Sequence, residues 1–230
     1  MLSKALCILA LSLVNPLCGG QTEDKKELNI AYTPKDFSYL KGMSGFSNSL
    51  LDLHFSLYQG YVKNCNLLLE KLQALEDAEQ MRSVEWGALK RRLGWEFDGM
   101  RLHELYFENL GGKGDRKGGS EIVAALEKQF GSFEAWKQAF ISTGMIRGIG
   151  WVILYKDPLS QKLINCWINE HDVGHLATSA PLIVMDVWEH AYLTEYGLNR
   201  EKYLQVFFEN IDWKVVNRRF STLKSSTIQD

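Results

Sequence analysis

The stretch MDVWEHAYLTEYG, residues 185–197, places a carboxylate and an imidazole four residues apart, at Asp186 and His190. An apolar run over residues 181–185 leads directly into the acid, so the pattern predicts that a buried strand carries Asp186 into the interior. A buried charge is costly unless a base, a hydrogen-bond network or a metal ion compensates it. The rest of the chain must therefore indicate which of these three compensates the acid.

The composition predicts a folded protein with a substantial core. The chain has 230 residues, of which 46% are hydrophobic and 12% aromatic. That is enough for one domain or two small lobes. The net charge is −2, and nothing suggests the basic stripe of a nucleic-acid-binding protein.

Residues 1–20 differ from the rest, with one early lysine, an apolar run over residues 5–14 and small residues at the end. This layout is typical of a cleaved secretory signal peptide, and the run is too short to cross a bilayer. We expect cleavage before Gln21 and an exported protein, periplasmic or secreted. Lipid modification of Cys18 is the alternative, and a buried N-terminal helix is disfavoured by the polar stretch that follows. No other stretch is long enough for a membrane span.

Cleavage would leave two cysteines, Cys65 and Cys166. Export permits a disulfide between them. Because Cys65 lies on a helical stripe and Cys166 in a strand pattern, two buried free thiols are an equally compatible prediction.

Apolar spacing predicts two long helices in the first half of the chain. Residues 44–77 have apolar positions at intervals of three and four, and a second helix is predicted over about 95–110. Between them, about 80–92 is predicted to be a short polar helix or turn. The glycine-rich stretch 111–120 then indicates a linker and a lobe boundary.

Shorter elements follow the linker. Ser120 and Ser132 are predicted to cap helices. Three short strands are predicted at 151–157, 162–169 and 181–187, and helices at about 188–196, 200–210 and 212–223.

The pattern predicts an α+β fold. An N-terminal all-α helical hairpin lobe, residues 44–112, precedes an α+β lobe, residues 113–230, with a small antiparallel sheet of about three strands. Residues 1–20 are the predicted signal peptide and 21–43 an N-terminal extension.

Three histidines fall at positions predicted to face the interior. His54 lies on the inner stripe of the first helix, His103 on that of the second, and His190 just after the buried strand that ends at Asp186. Each alone is typical of a core histidine satisfied by a hydrogen bond. Together with a carboxylate they favour a redox-capable iron or manganese ion with room for solvent. A nucleophilic triad is disfavoured, because no Ser or Cys near these positions has a recognisable activating setting.

On these residues the chain resembles the iron/manganese superoxide dismutases, over nearly all of residues 40–223. The stretch DVWEHAY at 186–192 is similar to the family signature almost letter for letter. Three further stretches resemble the C-terminal helix, the first strand and the first helix of the family: NIDWKVVNRRF (210–220), GIGWVIL (148–154) and GYVKNCN (60–66). The predicted two-lobe layout also fits the family fold.

The resemblance implies that His54, His103, Asp186 and His190 hold one iron or manganese ion per subunit. It also implies dismutation of superoxide to dioxygen and hydrogen peroxide, by proton-coupled cycling of the ion between +3 and +2. Taking up a proton with each electron keeps the charge of a buried site constant. Iron is preferred, because the glutamine-bearing sheet segment typical of the manganese enzymes is altered.

Further residues acquire roles from the same resemblance. Tyr61 is expected at the mouth of the substrate channel, with Trp151 and Trp188 as pocket walls. Glu189 is expected to reach across a homodimer interface to His190 of the other subunit. Ordinary core packing for the tryptophans, and a solvated acid at a helix start for Glu189, are the alternatives.

The first helix departs from the family pattern. His54 stands seven residues before Tyr61, where the family usually has eight, and Leu53 occupies the usual ligand position. A seven-residue step keeps both side chains on one face of a regular helix, whereas eight is better served by a bulge. We therefore expect a regular helix with His54 as the ligand.

A second departure concerns the glutamine that touches the metal-bound solvent. Gly99 stands roughly where the iron enzymes often place it, and the manganese enzymes usually supply it from a later segment, here residues 168–175. His171 aligns best with that glutamine and is expected, with Tyr61, to control the proton. The alternative is that His171 and His175 are loop histidines, one exposed and one packed.

Two other functions are compatible with parts of the pattern. One is a fold relative that has lost its metal and serves as a structural or interaction module. The other is a metal hydrolase, which needs an open coordination site with a general base; Glu189 is the only nearby acid beyond the ligand. The four retained ligand positions favour the dismutase.

Overall fold

The structure, a computed structural model, describes residues 31–223. The predicted signal peptide, the site of lipid modification and the first part of the predicted extension lie outside the described residues. Within residues 31–223, no helix combines the length and apolar character that crossing a membrane requires.

Two long helices form the N-terminal hairpin. Helix α1 spans Asn48–Asp77 and α2 spans Val84–Glu108. Ser47 and Ser83 precede them, and each hydroxyl accepts a hydrogen bond from a backbone N–H of the first turn, which satisfies an otherwise unpaired donor.

The short polar helix or turn expected at about 80–92 was wrong beyond residue 83, because α2 begins after its Ser83 cap and runs without interruption. Residues 84–94 are exposed or half-buried. They extend past the core, so the apolar periodicity that reveals a buried helix face is weak there.

The second region contains helices α3 (Ser120–Phe130) and α4 (Phe133–Gly144) and a three-stranded sheet. The strands are β1 (Gly150–Lys156), β2 (Leu163–Asn169) and β3 (Ala180–Asp186). They run antiparallel in the order β2-β1-β3, so β1 is central, and it is buried along its whole length. A helical region followed by an α+β region with a small antiparallel sheet confirms the predicted fold class.

The start of α3 is capped from a distance. Ser120 was expected to cap it, but Ser120 is the first helical residue and the preceding Gly119 makes no side-chain cap. The Asn217 side chain accepts from the backbone N–H groups of Glu121 and Ile122 instead, at 3.1 Å each. The predicted cap at Ser132 is confirmed by its bond from the N–H of Ala135.

The chain after β3 turns more tightly than expected. In place of one helix over 188–196, a single 3₁₀ turn, Glu189–Ala191, precedes the one-turn helix α5, Leu193–Tyr196. The Asp186 carboxylate accepts from the backbone N–H of Trp188 at 2.8 Å. This local bond competes with a regular helix and brings His190 back over the acid.

Helices α6 (Arg200–Glu209) and α7 (Trp213–Thr222) complete the fold. The Arg219 guanidinium of α7 donates to the carbonyl of Leu105 at 3.1 Å, to that of Leu182 at 3.0 Å and to Glu108 at 3.0 Å. It thereby ties α7 to both α2 and β3, the elements that carry two of the predicted ligands.

Candidate metal centre

The structure brings the four predicted ligands together from distant parts of the chain. His54 comes from α1, His103 from α2, Asp186 from the end of β3 and His190 from the 3₁₀ turn. One ligand atom from each lies within 4.8 Å of the others. The first three side chains are buried, and that of His190 is 27% exposed.

The separations fit one shared ion. Oδ2 of Asp186 lies 3.1 Å from Nε2 of His54, 3.1 Å from Nε2 of His190 and 3.6 Å from Nε2 of His103. Ligand atoms about 2.1 Å from one ion lie about 3.0 Å apart at a right angle and about 3.6 Å apart at 120°.

The His103 ring distinguishes a metal site from a plain hydrogen-bond network. Its Nδ1–H donates to the Gly99 carbonyl at 2.6 Å, which leaves the lone pair of Nε2 directed into the cluster. That Nε2 is buried and has no hydrogen-bond partner among the described residues. Burial, reinforced by His54, keeps the pKa of His103 well below its ordinary value. An unpaired buried acceptor on a neutral imidazole is costly and is the form that binds metal.

Asp186 supplies the negative charge. Burial alone would raise its pKa, but the charge and hydrogen bond of His190 and those of His54 outweigh burial and hold the pKa far below the ordinary value. Burial lowers the pKa of His54, although its hydrogen bond with Asp186 acts in the opposite direction. An ionised buried carboxylate among imidazoles calls for a cation beside it.

The register of α1 follows the prediction. The helix is regular over its full length, which confirms the expected absence of a bulge. Leu53 is 58% exposed, whereas His54 is 2% exposed and faces the cluster. The residue in the usual family position therefore points to solvent.

His171 is buried beside the cluster. The alternative prediction, that His171 is an exposed loop histidine, is therefore wrong. The Trp151 indole N–H donates to its Nδ1 at 3.1 Å, so the proton of the neutral ring is on Nε2. That Nε2–H donates to the Tyr61 hydroxyl at 2.7 Å. Burial lowers the pKa of His171 to about 4. Burial also raises the pKa of Tyr61, with a contribution from the charge of Asp186, so both groups are neutral near pH 7.

Gly99 stands roughly where the iron enzymes often place a glutamine, and the space around it explains why His171, and not a side chain at position 99, is the hydrogen-bond donor to Tyr61. A Cβ at position 99 would lie 2.6–3.0 Å from atoms of the Tyr61 ring, closer than such contacts allow. No side chain fits at this position unless Tyr61 moves.

Aromatic rings enclose the cluster. Trp151 meets His103 edge-on at 4.9 Å, and Trp188 stacks on His171 at 4.8 Å between ring centroids. Sequence analysis missed a third tryptophan, Trp95, which lies 4.7 Å from His171 and 5.9 Å from Trp188. Its step of eight residues before His103 is not the spacing that keeps two side chains on one face of a regular helix, so no local signal identified it.

The remaining predicted residues lie outside the cluster. Glu189 is exposed, and its expected contact with a second subunit stays a prediction. His175 is partly exposed and hydrogen-bonded to the loop that carries His171. Cys65 and Cys166, the cysteines in the part of the chain that the structure describes, form no disulfide there; Cys65 is buried and Cys166 is partly buried.

Comparison with known proteins adds independent observations. The family described as iron/manganese superoxide dismutases, C-terminal domain, matches residues 118–219. An iron superoxide dismutase of Pyrobaculum aerophilum is 33% identical over 81% of this chain and 89% of its own length. One of Aquifex aeolicus is 35% identical over 81% and 90%. A manganese superoxide dismutase of Haloarcula marismortui is 34% identical over 70% and 77%.

Proposed function

Since the chain belongs to the iron/manganese superoxide dismutase family, we propose that it is an enzyme that dismutates superoxide to dioxygen and hydrogen peroxide. Its centre would hold one iron or manganese ion on His54, His103, Asp186 and His190. The observation that carries this proposal is the buried Nε2 of His103, which has no hydrogen-bond partner within residues 31–223 and lies beside an ionised carboxylate. These features argue against a metal-free structural module.

A bound ion would supply the electron transfer, by cycling between +3 and +2. The protein contributes one carboxylate charge and three imidazoles. With the imidazoles neutral, the centre is net positive around a divalent or trivalent cation. A positive centre attracts an anion such as superoxide.

Tyr61 and His171 are proposed to hold the proton that accompanies the electron. Because the Tyr61 oxygen accepts from His171, its own O–H is available to donate to solvent or substrate in the site. His171 has one N–H and cannot readily gain a second, since the Trp151 N–H faces Nδ1. The hydrogen bond from His171 therefore sets how readily Tyr61 gives up its proton.

The aromatic walls restrict what enters. Trp95, Trp151 and Trp188 lie against His171, with ring centroids 4.7, 5.8 and 4.8 Å from that of its imidazole. Such a lining suits a small anion and strengthens the electrostatic interactions inside. A hydrolase would need a general base at the cluster, and Glu189 is exposed.

We propose iron as the preferred metal, because a histidine stands where the manganese enzymes usually have glutamine. The test is to prepare metal-free protein, load it separately with iron and manganese, and measure metal content and superoxide dismutation. Higher activity of the iron form supports the preference, and equal or higher activity with manganese overturns it. Absence of dismutation with either fully loaded metal overturns the proposed activity.

We also propose a homodimer in which Glu189 contacts His190 of the other subunit. Sedimentation equilibrium should give a dimer for the wild-type protein and a weaker one for Glu189→Ala. A matched exposed acid, Glu201→Ala, should leave association unchanged. A wild-type monomer would overturn the dimer, and equal association of Glu189→Ala would overturn the role of Glu189.

Export is proposed from residues 1–20 alone. It implies protection against superoxide that arises outside the cytoplasm. N-terminal sequencing of the protein purified from its native source should begin at Gln21. A chain that retains residues 1–20 and stays inside the cell would contradict this proposal.

A further inference from the structure

The loop between β2 and β3 carries a second histidine, His175, whose two ring nitrogens are both engaged. Its Nε2–H donates to the backbone carbonyl of His171 at 2.7 Å. Its Nδ1 accepts from the Tyr155 hydroxyl at 2.6 Å. The His175 ring therefore links the backbone of His171 to a tyrosine of the central strand.

The anchors of the two histidines match each other in spacing. Trp151 and Tyr155 are four residues apart on β1 and project from the same face. Trp151 holds the ring of His171, and Tyr155 holds the ring of His175, also four residues along the loop. Both anchors are buried: Trp151 is fully buried, and Tyr155 is 3% exposed. The loop is thus tied at two points to the most buried strand of the sheet.

The loop backbone requires such support. Glu170, directly before His171, has φ of 57°, a left-handed conformation that residues other than glycine rarely adopt. Gly174, directly before His175, has φ of 102°. Strained conformations persist only where surrounding contacts fix them. Here the contacts are the bond from the Asn169 N–H to the Val173 carbonyl, at 2.9 Å, and the His175 bridge.

An acid on α2 also faces His175. Oδ2 of Asp98 lies 3.7 Å from the Nε2 that bonds the His171 carbonyl. This distance exceeds that of a hydrogen bond, so Asp98 contributes attraction and leaves the N–H to the carbonyl. The preferred direction of Nε2–H is therefore toward the loop backbone.

We propose that His175 is a positioning residue, which fixes the backbone of His171 and so directs the His171 Nε2–H at Tyr61. The consequence for catalysis rests on the proposed function. The effect of His175 on the position of His171 is independent of the proposed function, because it can be measured in metal-free protein.

The test compares two replacements of His175. In His175→Gln, the amide N–H can donate to the carbonyl and its oxygen can accept from Tyr155. In His175→Leu, the volume is similar and both bonds are lost. Gln129→Ala is the control, because Gln129 holds the opposite end of β2 through its bond from the Leu163 N–H at 2.8 Å.

Two readouts are needed. Long-range proton–nitrogen NMR of histidine-labelled, metal-free protein reports the chemical shift of the His171 Nε2–H, which depends on its hydrogen bond to Tyr61. Dismutation rate per bound metal ion reports the consequence. We expect His175→Leu to shift the His171 Nε2–H signal, because the hydrogen bond to Tyr61 is displaced, and to lose about tenfold or more in rate, since small misplacements of catalytic groups are costly. His175→Gln and Gln129→Ala should keep the His171 signal and stay within about twofold of the wild-type rate.

A wild-type His171 signal in His175→Leu overturns the proposal, and so does equal impairment in His175→Gln or in Gln129→Ala. If His175→Leu does not fold, Tyr155→Phe removes only the donor to Nδ1 and should shift the His171 signal in the same direction; no shift overturns the proposal. An inactive wild type that binds full metal would overturn the dismutase function alone, and the NMR comparison would still decide the role of His175.

Discussion

The indole N–H of Trp151 lies 3.1 Å from Nδ1 of His171 and donates to it. Because an indole can only donate, it fixes the tautomer of the imidazole. A proton on Nδ1 would face another donor, so the same contact opposes protonation. The residue opposite Trp151 on β3 is Asp186, and one strand pair therefore holds both a proposed metal ligand and the group that orders His171.

Replacing Trp151 with phenylalanine should raise the pKa of His171 above its value of about 4, because Nδ1 is then free to take a proton. An NMR pH titration of metal-free protein measures this. Trp136→Phe is the control, since Trp136 is equally buried but donates to Asn165. An unchanged titration of His171 in Trp151→Phe would show that the indole does not govern protonation.

The same pKa predicts a pH dependence of stability. The pKa of His171 is lowered on folding, so the unfolded chain binds the proton first as the pH falls from about 6.5. His171 therefore makes the metal-free protein lose stability as the pH falls from about 6.5 toward about 4. Denaturation of His171→Gln at a series of pH values should show a smaller loss in this range. An identical loss in both proteins would contradict the shift.

Gly99→Ala should lower activity without removing metal. The new Cβ would collide with the Tyr61 ring and displace its hydroxyl from His171. Gly60→Ala is a matched control, because a Cβ there meets no atom of the described residues within 4 Å. The dismutation rate per metal ion should fall only in Gly99→Ala. Equal rates in both variants would mean that Tyr61 has no role that depends on its position.

The distant cap of α3 should be measurable by denaturant unfolding. Asn217→Ala removes the acceptor for two backbone N–H groups and should cost about 1 kcal/mol. Ser120→Ala, at the position where the sequence alone predicted the cap, should cost less than about 0.5 kcal/mol. The reverse order of costs would show that Ser120 caps the helix after all.

Arg219→Ala should be among the more destabilising changes outside the centre. It removes the Arg219 donor from the buried Leu182 carbonyl and one of two donors from the Leu105 carbonyl, and it leaves Glu108 without one of its cations, at a cost of about 1–3 kcal/mol. Arg218→Ala removes the adjacent, exposed arginine and should change the free energy of unfolding by less than about 0.5 kcal/mol. Similar losses in the two variants would argue against the proposed link between α7, α2 and β3.

Local patterns predicted the parts of the fold whose signals are contained in short stretches. The apolar stripe of α1, the three strands and the cap at Ser132 follow from periodicity and end chemistry. The ligand cluster was predicted because helix faces and the end of a buried strand must converge on one core, and the family resemblance made the choice of residues specific.

The features that were missed depend on contacts between distant residues. The cap on α3 comes from Asn217, almost a hundred positions along the chain, and no local signal identifies it. The outer part of α2 lacks an apolar stripe because it packs against little. The turn after β3 is set by Asp186, whose carboxylate bonds the backbone of Trp188 in preference to allowing a helix.

The central claim is that His54, His103, Asp186 and His190 hold one redox-active metal ion. Its most direct test is elemental analysis of the wild-type protein, His103→Ala and Asp186→Asn, with His171→Gln as a folded control that keeps all four ligands. We predict about one iron or manganese ion per chain in the wild type and in His171→Gln, and loss of most of it in the two ligand variants. Full metal content in both His103→Ala and Asp186→Asn would contradict the claim.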